Sequence, residues 1–157
     1  MSGDQKAALL NFVRLGRGFL GVHSATDTFY TWPDYLDLVG GYFNGHPWHQ
    51  AVTIDVVDLT DPLVAFLGHS LQVEDEIYQI RDFDDRGSRV LLRLDPSSVD
   101  LGRTGVHQRS YGWPLAWKRT YGEGRVFYTA LGHKASVWRD ARYQQILTNA
   151  ILWSMRR

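Results

Sequence analysis

The sequence predicts a mixed α/β layer protein, and three observations carry that expectation. A short apolar run, FLGVH at 19–23, reads as a strand buried on both faces, as in a parallel sheet. Several later segments alternate at the two-residue period of a strand. Both ends of the chain carry apolar residues at helical spacing.

The elements follow in order. Ser2 and Gln5 fit a capping box, and Ala8, Leu9, Phe12 and Val13 recur at helical spacing until Gly16, so a helix is expected to start near Gly3. The apolar strand 19–23 ends on His23. Residues 24–32 have no period and are rich in turn formers; Pro33 then opens a short helix over 33–39, stopped by Gly40 and Gly41. Residues 51–57 are β-branched and alternating, which predicts a strand closed by Asp61-Pro62. Residues 71–80 alternate too, with Val73, Asp75, Ile77 and Gln79 on one face and Glu74, Glu76, Tyr78 and Ile80 on the other. A further strand is expected over 88–94, then a long polar loop over 95–113. Strands 115–120 and 125–131 flank Tyr121-Gly122-Glu123-Gly124, a hairpin signal. From Asp140, the spacing of Tyr143, Ile146, Leu147, Ala150, Ile151 and Ser154 gives an amphipathic helix, with Arg156 and Arg157 suited to its C-terminal dipole.

A length of 157 residues fits one domain, 1–157, large enough for a core without disulfides or a structural metal. The absence of cysteine removes thiol nucleophiles, cysteine-ligated zinc and iron–sulfur sites. Seventeen Lys plus Arg balance 17 Asp plus Glu, so no basic excess points to nucleic acid. No apolar run approaches the ~18 residues of a membrane span, and the N-terminus lacks the basic-then-apolar pattern of an export signal. A cytoplasmic polypeptide without membrane partners is expected.

Chemistry gathers in four places. Residues 40–50 hold Tyr42, Phe43, His46, Trp48 and His49, a run in which two imidazoles can share a metal or a sugar hydroxyl while aromatics stack on a pyranose face. An H-x-x-H pair is by itself a weak metal signal, and the same residues can be loop and core. His23 ends an apolar strand, followed at once by Ser24 and Asp27 in a turn, where open α/β sheets bind ligands. His133 ends another apolar run after Gly132, which permits close backbone approach. Glu76, between apolar neighbours, is the acidic residue best placed for acid–base work. His69 and His107 lie in loops without partners. Serine hydrolase, Walker A and dinucleotide-binding signatures are absent.

The segments GRGFLGVHSATDTF, LVGGYFNGHPWHQAVTI, VEDEIYQI and PLAWKRTYGEGRVFYTALGH, in that order, resemble the ThuA-like family, named for trehalose utilisation in bacteria. The resemblance implies a flavodoxin-like layered sheet similar to class I glutamine amidotransferases, mostly parallel with antiparallel additions. It also implies action on sugars, especially oxidised disaccharides such as keto-trehalose. By the same resemblance the site residues are His23, His46, His49, Glu76 and His133. Two departures stand out. His23-Ser24 occupies the place of the amidotransferase cysteine, which excludes glutaminase chemistry, and the β-α units that usually open family domains do not precede the first helix. An N-terminally truncated domain, the C-terminal portion of the family domain, is therefore expected, with a homodimer as one way to cover the exposed edge.

Three functional expectations follow. In the first, the chain is a sugar-converting enzyme: one histidine, His23 or His133, transfers a proton, Glu76 orients a histidine or acts as the second acid–base group, and Ser24, Asp27, Tyr42, His46, Trp48 and His49 bind a small-molecule sugar. In the second, a carbohydrate-binding or assembly module uses the same pocket without turnover. In the third, zinc or another divalent ion is held by His23, His46, His49 and His133. All three need the 46–49 segment near His23, which holds if strand 51–57 runs antiparallel to strand 19–23. The short helix 33–39, about 10 Å long at 1.5 Å per residue, favours that arrangement.

Overall fold

The computed structural model describes residues 1–155; Arg156 and Arg157, expected to suit the dipole of the last helix, lie outside the described residues. The first helix, α1 (Gly3–Arg14), opens on the expected capping box, with the Gln5 N–H donating to Ser2 Oγ at 3.3 Å and the Ser2 N–H to Gln5 Oε1 at 2.9 Å. It buries Leu10 and Val13. Next come β1 (Gly18–Val22), a 3-10 turn over His23–Thr26, and α2 (Pro33–Val39), which ends at Gly40 in a left-handed conformation. The remaining strands are β2 (Tyr42–Phe43), β3 (Trp48–Val56), β4 (Ser70–Ile77), β5 (Ile80–Arg81), β6 (Ser88–Leu94), β7 (Pro114–Tyr121) and β8 (Gly124–Thr129). Two helices close the chain, α3 (Ala135–Arg139) and α4 (Ala141–Met155). Among the described residues no helix is long and apolar enough to cross a membrane.

Six strands form one sheet in the order β1-β8-β7-β6-β3-β4, and β2 pairs with β5 in a separate ribbon. Here the structure corrects the expectation of a mostly parallel sheet. Among the described residues only β1 and β8 pair in parallel; β8–β7, β7–β6, β6–β3 and β3–β4 are antiparallel. The connections explain this, because a parallel neighbour needs a crossover, usually helical, whereas β7 and β8 are joined by the tight turn at Gly122-Glu123. β1 is also not buried on both faces: it is an outermost strand, and of its five residues only Gly21 is buried. The expected strand 71–80 stops at Ile77, and the chain resumes as β5 after Tyr78-Gln79.

The core lies between this sheet and the helices. Trp117, Phe127, Tyr128, Leu91, Leu92, Leu94 and Leu115 are fully buried, and the Trp117 Nε1–H donates to the Val39 carbonyl at 2.8 Å, fastening α2 to the sheet. Tyr143, Ile146 and Ala150 form the buried stripe of α4, which packs on β1 and β8. Although β1 and β4 stand at opposite ends of the strand order, the sheet curls until their C-terminal ends meet. That closure makes the site.

Candidate functional site

The pairing directions fix which side chains converge. With β1 and β8 parallel, the chain leaves both at one edge, placing His23 and His133 together. β3 runs antiparallel to β1 through the chain of pairings, so it starts at that edge and brings His49 with it. In the β3–β4 ladder His49 stands directly opposite Glu76, which puts both side chains on one face. His46 is held by the β2–β5 ribbon and by reciprocal backbone bonds of Gln79 with Asn44 and Gly45, each 2.8 Å.

Glu76 is the hub. Its Oε2 lies 3.1 Å from His23 Nε2 and 3.4 Å from His133 Nδ1, and its Oε1 lies 3.5 Å from His49 Nε2 and 3.7 Å from His46 Nδ1. The imidazoles also meet each other: His23 Nε2 and His133 Nδ1 at 3.3 Å, His46 Nδ1 and His49 Nε2 at 2.7 Å. Glu76 and His23 side chains are only 10% and 13% exposed, whereas His46, His49 and His133 are 44–49% exposed, so the cluster has a buried floor and a solvent-facing rim. Among the described residues two triads bring their ligand atoms within 4.8 Å of one another, His23–Glu76–His133 and His46–His49–Glu76.

His23 is locked from behind. Its Nδ1 lies 2.7 Å from the Ala130 carbonyl, which can only accept, so Nδ1 carries a hydrogen and Nε2 faces Glu76. Its backbone is left-handed at φ +46°, and its carbonyl accepts the Tyr128 hydroxyl at 2.7 Å. Complete burial pushes the Tyr128 phenol well above its ordinary value, keeping it a neutral donor. His133 is positioned by Asp75, a fully buried carboxylate that accepts the N–H groups of Gly132 at 2.7 Å, His133 at 3.3 Å and Lys134 at 2.8 Å.

The structure separates the expected sugar-binding residues. Ser24 and Asp27 are exposed on the turn after His23, with Asp27 accepting the Tyr30 hydroxyl. Tyr42 and Trp48 offer no surface to a sugar. Tyr42 is 4% exposed with its hydroxyl donated to the Phe29 and Trp32 carbonyls; Trp48 is fully buried, packs edge-on against Trp113 and donates to the Asp100 carbonyl. Period-two alternation turns Trp48 inward because His49 faces Glu76. The aromatic with surface beside the histidines is instead half-buried Phe43, which stacks on His46; Tyr78, itself buried, backs His23 with a ring-centroid separation of 4.2 Å. Burial first, then the Glu76 and Asp27 charges, push the Tyr78 phenol up. Tyr78 was legible as the residue two after Glu76 on the same strand face. His69 and His107 belong to neither triad.

The family profile described as trehalose utilisation, ThuA, matches residues 1–154. A ThuA-like protein from Bacteroides uniformis has the same fold at a TM-score of 0.81 and 26% identity, covering 98% of this chain and 64% of that one. A ThuA-like protein from Parabacteroides merdae follows at 0.71 and 18%, covering 97% and 65%. The chain therefore spans just under two thirds of the length of both. The fold also recurs in a β-galactosidase from Bacillus circulans, at a TM-score of 0.58 and 18% identity, over 20% of that chain. Among curated proteins no relative matches. With the profile running through all but the last three residues and the fold shared with two ThuA-like structures, the chain belongs to the ThuA family.

Proposed function

We propose that this chain acts on a sugar, most specifically an oxidised disaccharide of the keto-trehalose type, by proton transfer in the Glu76-centred pocket. One observation carries the reading: a single, nearly buried carboxylate lies 3.1–3.7 Å from four imidazoles, three of them open to solvent. The family description, trehalose utilisation, supports the substrate class. An oxidised sugar has a carbonyl whose neighbouring C–H and O–H protons can be taken by a positioned imidazole. In this reading His23, with Nδ1–H tied to Ala130, presents Nε2 as the group that takes or gives the proton. Glu76 stabilises the imidazolium that forms, and His133 completes the pair. His46, His49, Ser24 and Asp27 on the rim bind hydroxyls, and Phe43 supplies the apolar contact.

The test incubates the purified chain with keto-trehalose and, separately, with trehalose, following both by NMR. Conversion of the keto-sugar is expected, and His69→Ala and His107→Ala are expected to convert it at the wild-type rate. Saturable binding without conversion would favour a carbohydrate-binding module. Absence of both binding and conversion would overturn the proposal.

A further inference from the structure

We infer that the chain holds one divalent metal ion of the zinc class on His23 Nε2, His133 Nδ1 and Glu76 Oε2, with its fourth position open toward solvent. The inference does not depend on the sugar reading, and it changes one assignment in it: with Nε2 on the ion His23 is a ligand, and proton transfer falls to the rim imidazoles His46 and His49 beside Glu76 Oε1. The first argument is the tautomer: since Nδ1–H of His23 is committed to the Ala130 carbonyl, a neutral His23 points a bare lone pair at a carboxylate oxygen 3.1 Å away. A metal-bound histidine commonly has this arrangement, one nitrogen on the ion and the other hydrogen-bonded to a backbone carbonyl.

The second argument is metric. A tetrahedral ion with ligands at about 2.0–2.1 Å separates those ligands by about 3.3–3.4 Å. The three edges of the His23–His133–Glu76 triangle are 3.1, 3.3 and 3.4 Å, close to one face of such a tetrahedron. The other triad fails this comparison. His46 and His49 approach to 2.7 Å, an ordinary hydrogen bond and well short of a tetrahedral edge, while both stand beyond that edge from Glu76 Oε1, at 3.7 and 3.5 Å. The four-histidine set expected from the sequence thus divides, two imidazoles joining Glu76 at the ion and two bonding each other beside its second oxygen. The supports are rigid: Asp75 holds the His133 backbone through three N–H groups, and β4 carries Glu76. His133 is half-exposed, so the open side of the ion faces the rim, where a sugar carbonyl oxygen could be polarised.

The full chain, stripped with a chelator and titrated with Co²⁺ in the absence of sugar, tests this. One equivalent with the strong visible bands of tetrahedral cobalt is expected, displaced by Zn²⁺. Glu76→Gln and His133→Ala are each expected to weaken binding at least about 10-fold, while His46→Ala keeps the equivalent and its spectrum. Far-UV circular dichroism checks that each variant is folded, and Glu76→Gln decides should the His133 variant lose its fold. Less than about a tenth of an equivalent in the wild type, or loss of the ion in folded His46→Ala, would overturn the assignment. Failure of keto-trehalose conversion would leave it standing.

Discussion

His23 and His133 reach one another because two backbones take unusual paths. Gly132 sits at φ +115°, and a Cβ there would lie 2.7 Å from the Tyr143 hydroxyl, so the turn carrying His133 requires glycine. Gly132→Ala is expected to cost about 1–3 kcal/mol in urea unfolding and to move His133 off Glu76. Asp75 has the larger role, because its carboxylate is the shared acceptor of three backbone donors. Asp75→Ala should lower stability by on the order of 3 kcal/mol, with Asp75→Asn less severe because it keeps an acceptor. A loss below about 1 kcal/mol for the alanine variant would contradict the positioning role. The sequence announced His23 and His133 by ending apolar runs with a polar residue, and Glu76 by its apolar neighbours. It did not announce Asp75, since alternation assigns a strand residue to a face but not the loop that covers that face.

At the level of elements, acid sensitivity concentrates where carboxylates tie segments together. Asp140 accepts the Arg142 N–H at 2.8 Å at the start of α4, and hydrogen bonding to Arg142 holds it below the usual carboxylate range. Lys134 does the same for Glu74, and the Thr60 and Arg89 bonds bring Asp58, after β3, down to about 2. Groups depressed on folding contribute stability that is complete above their unfolded values, near 3.8 for an aspartate, and that disappears as pH falls through the folded ones. The urea midpoint is therefore expected to fall between about pH 4 and 2, and Asp58→Asn to flatten the lower part of that decline. Gly124 shows how tightly elements are joined: an added Cβ would collide with the Val13 carbonyl oxygen, so Gly124→Ala should loosen α1 from the β7–β8 hairpin and lower the melting temperature by several degrees. Capped or amphipathic elements such as α1, α2 and α4 were legible; five-residue α3, whose first residue is preceded by Lys134 with no side-chain cap, gave no such signal.

For the whole molecule, the decisive property is the curl that joins the ends of β1 and β4. Local pattern identified the strands of the six-stranded sheet, missing the β2–β5 ribbon, but could not order them, because alternation records which face is buried and not which neighbour is paired. The direction of β3 was nevertheless readable from the shortness of α2, and that direction delivers His46 and His49 to the edge occupied by His23. The burial of Trp48 and Tyr42 was not readable, since an aromatic beside a histidine looks the same whether it lines a pocket or fills a core. In the proposed function the Glu76 cluster exists for chemistry rather than for stability. The most direct measurement determines kcat/KM for keto-trehalose and the thermal midpoint on the same preparations of wild type, His23→Ala and Glu76→Gln. A fall in kcat/KM of about 10²–10⁴-fold with cooperative unfolding retained is expected. Wild-type turnover in both variants, with only the thermal midpoint lowered, would contradict it.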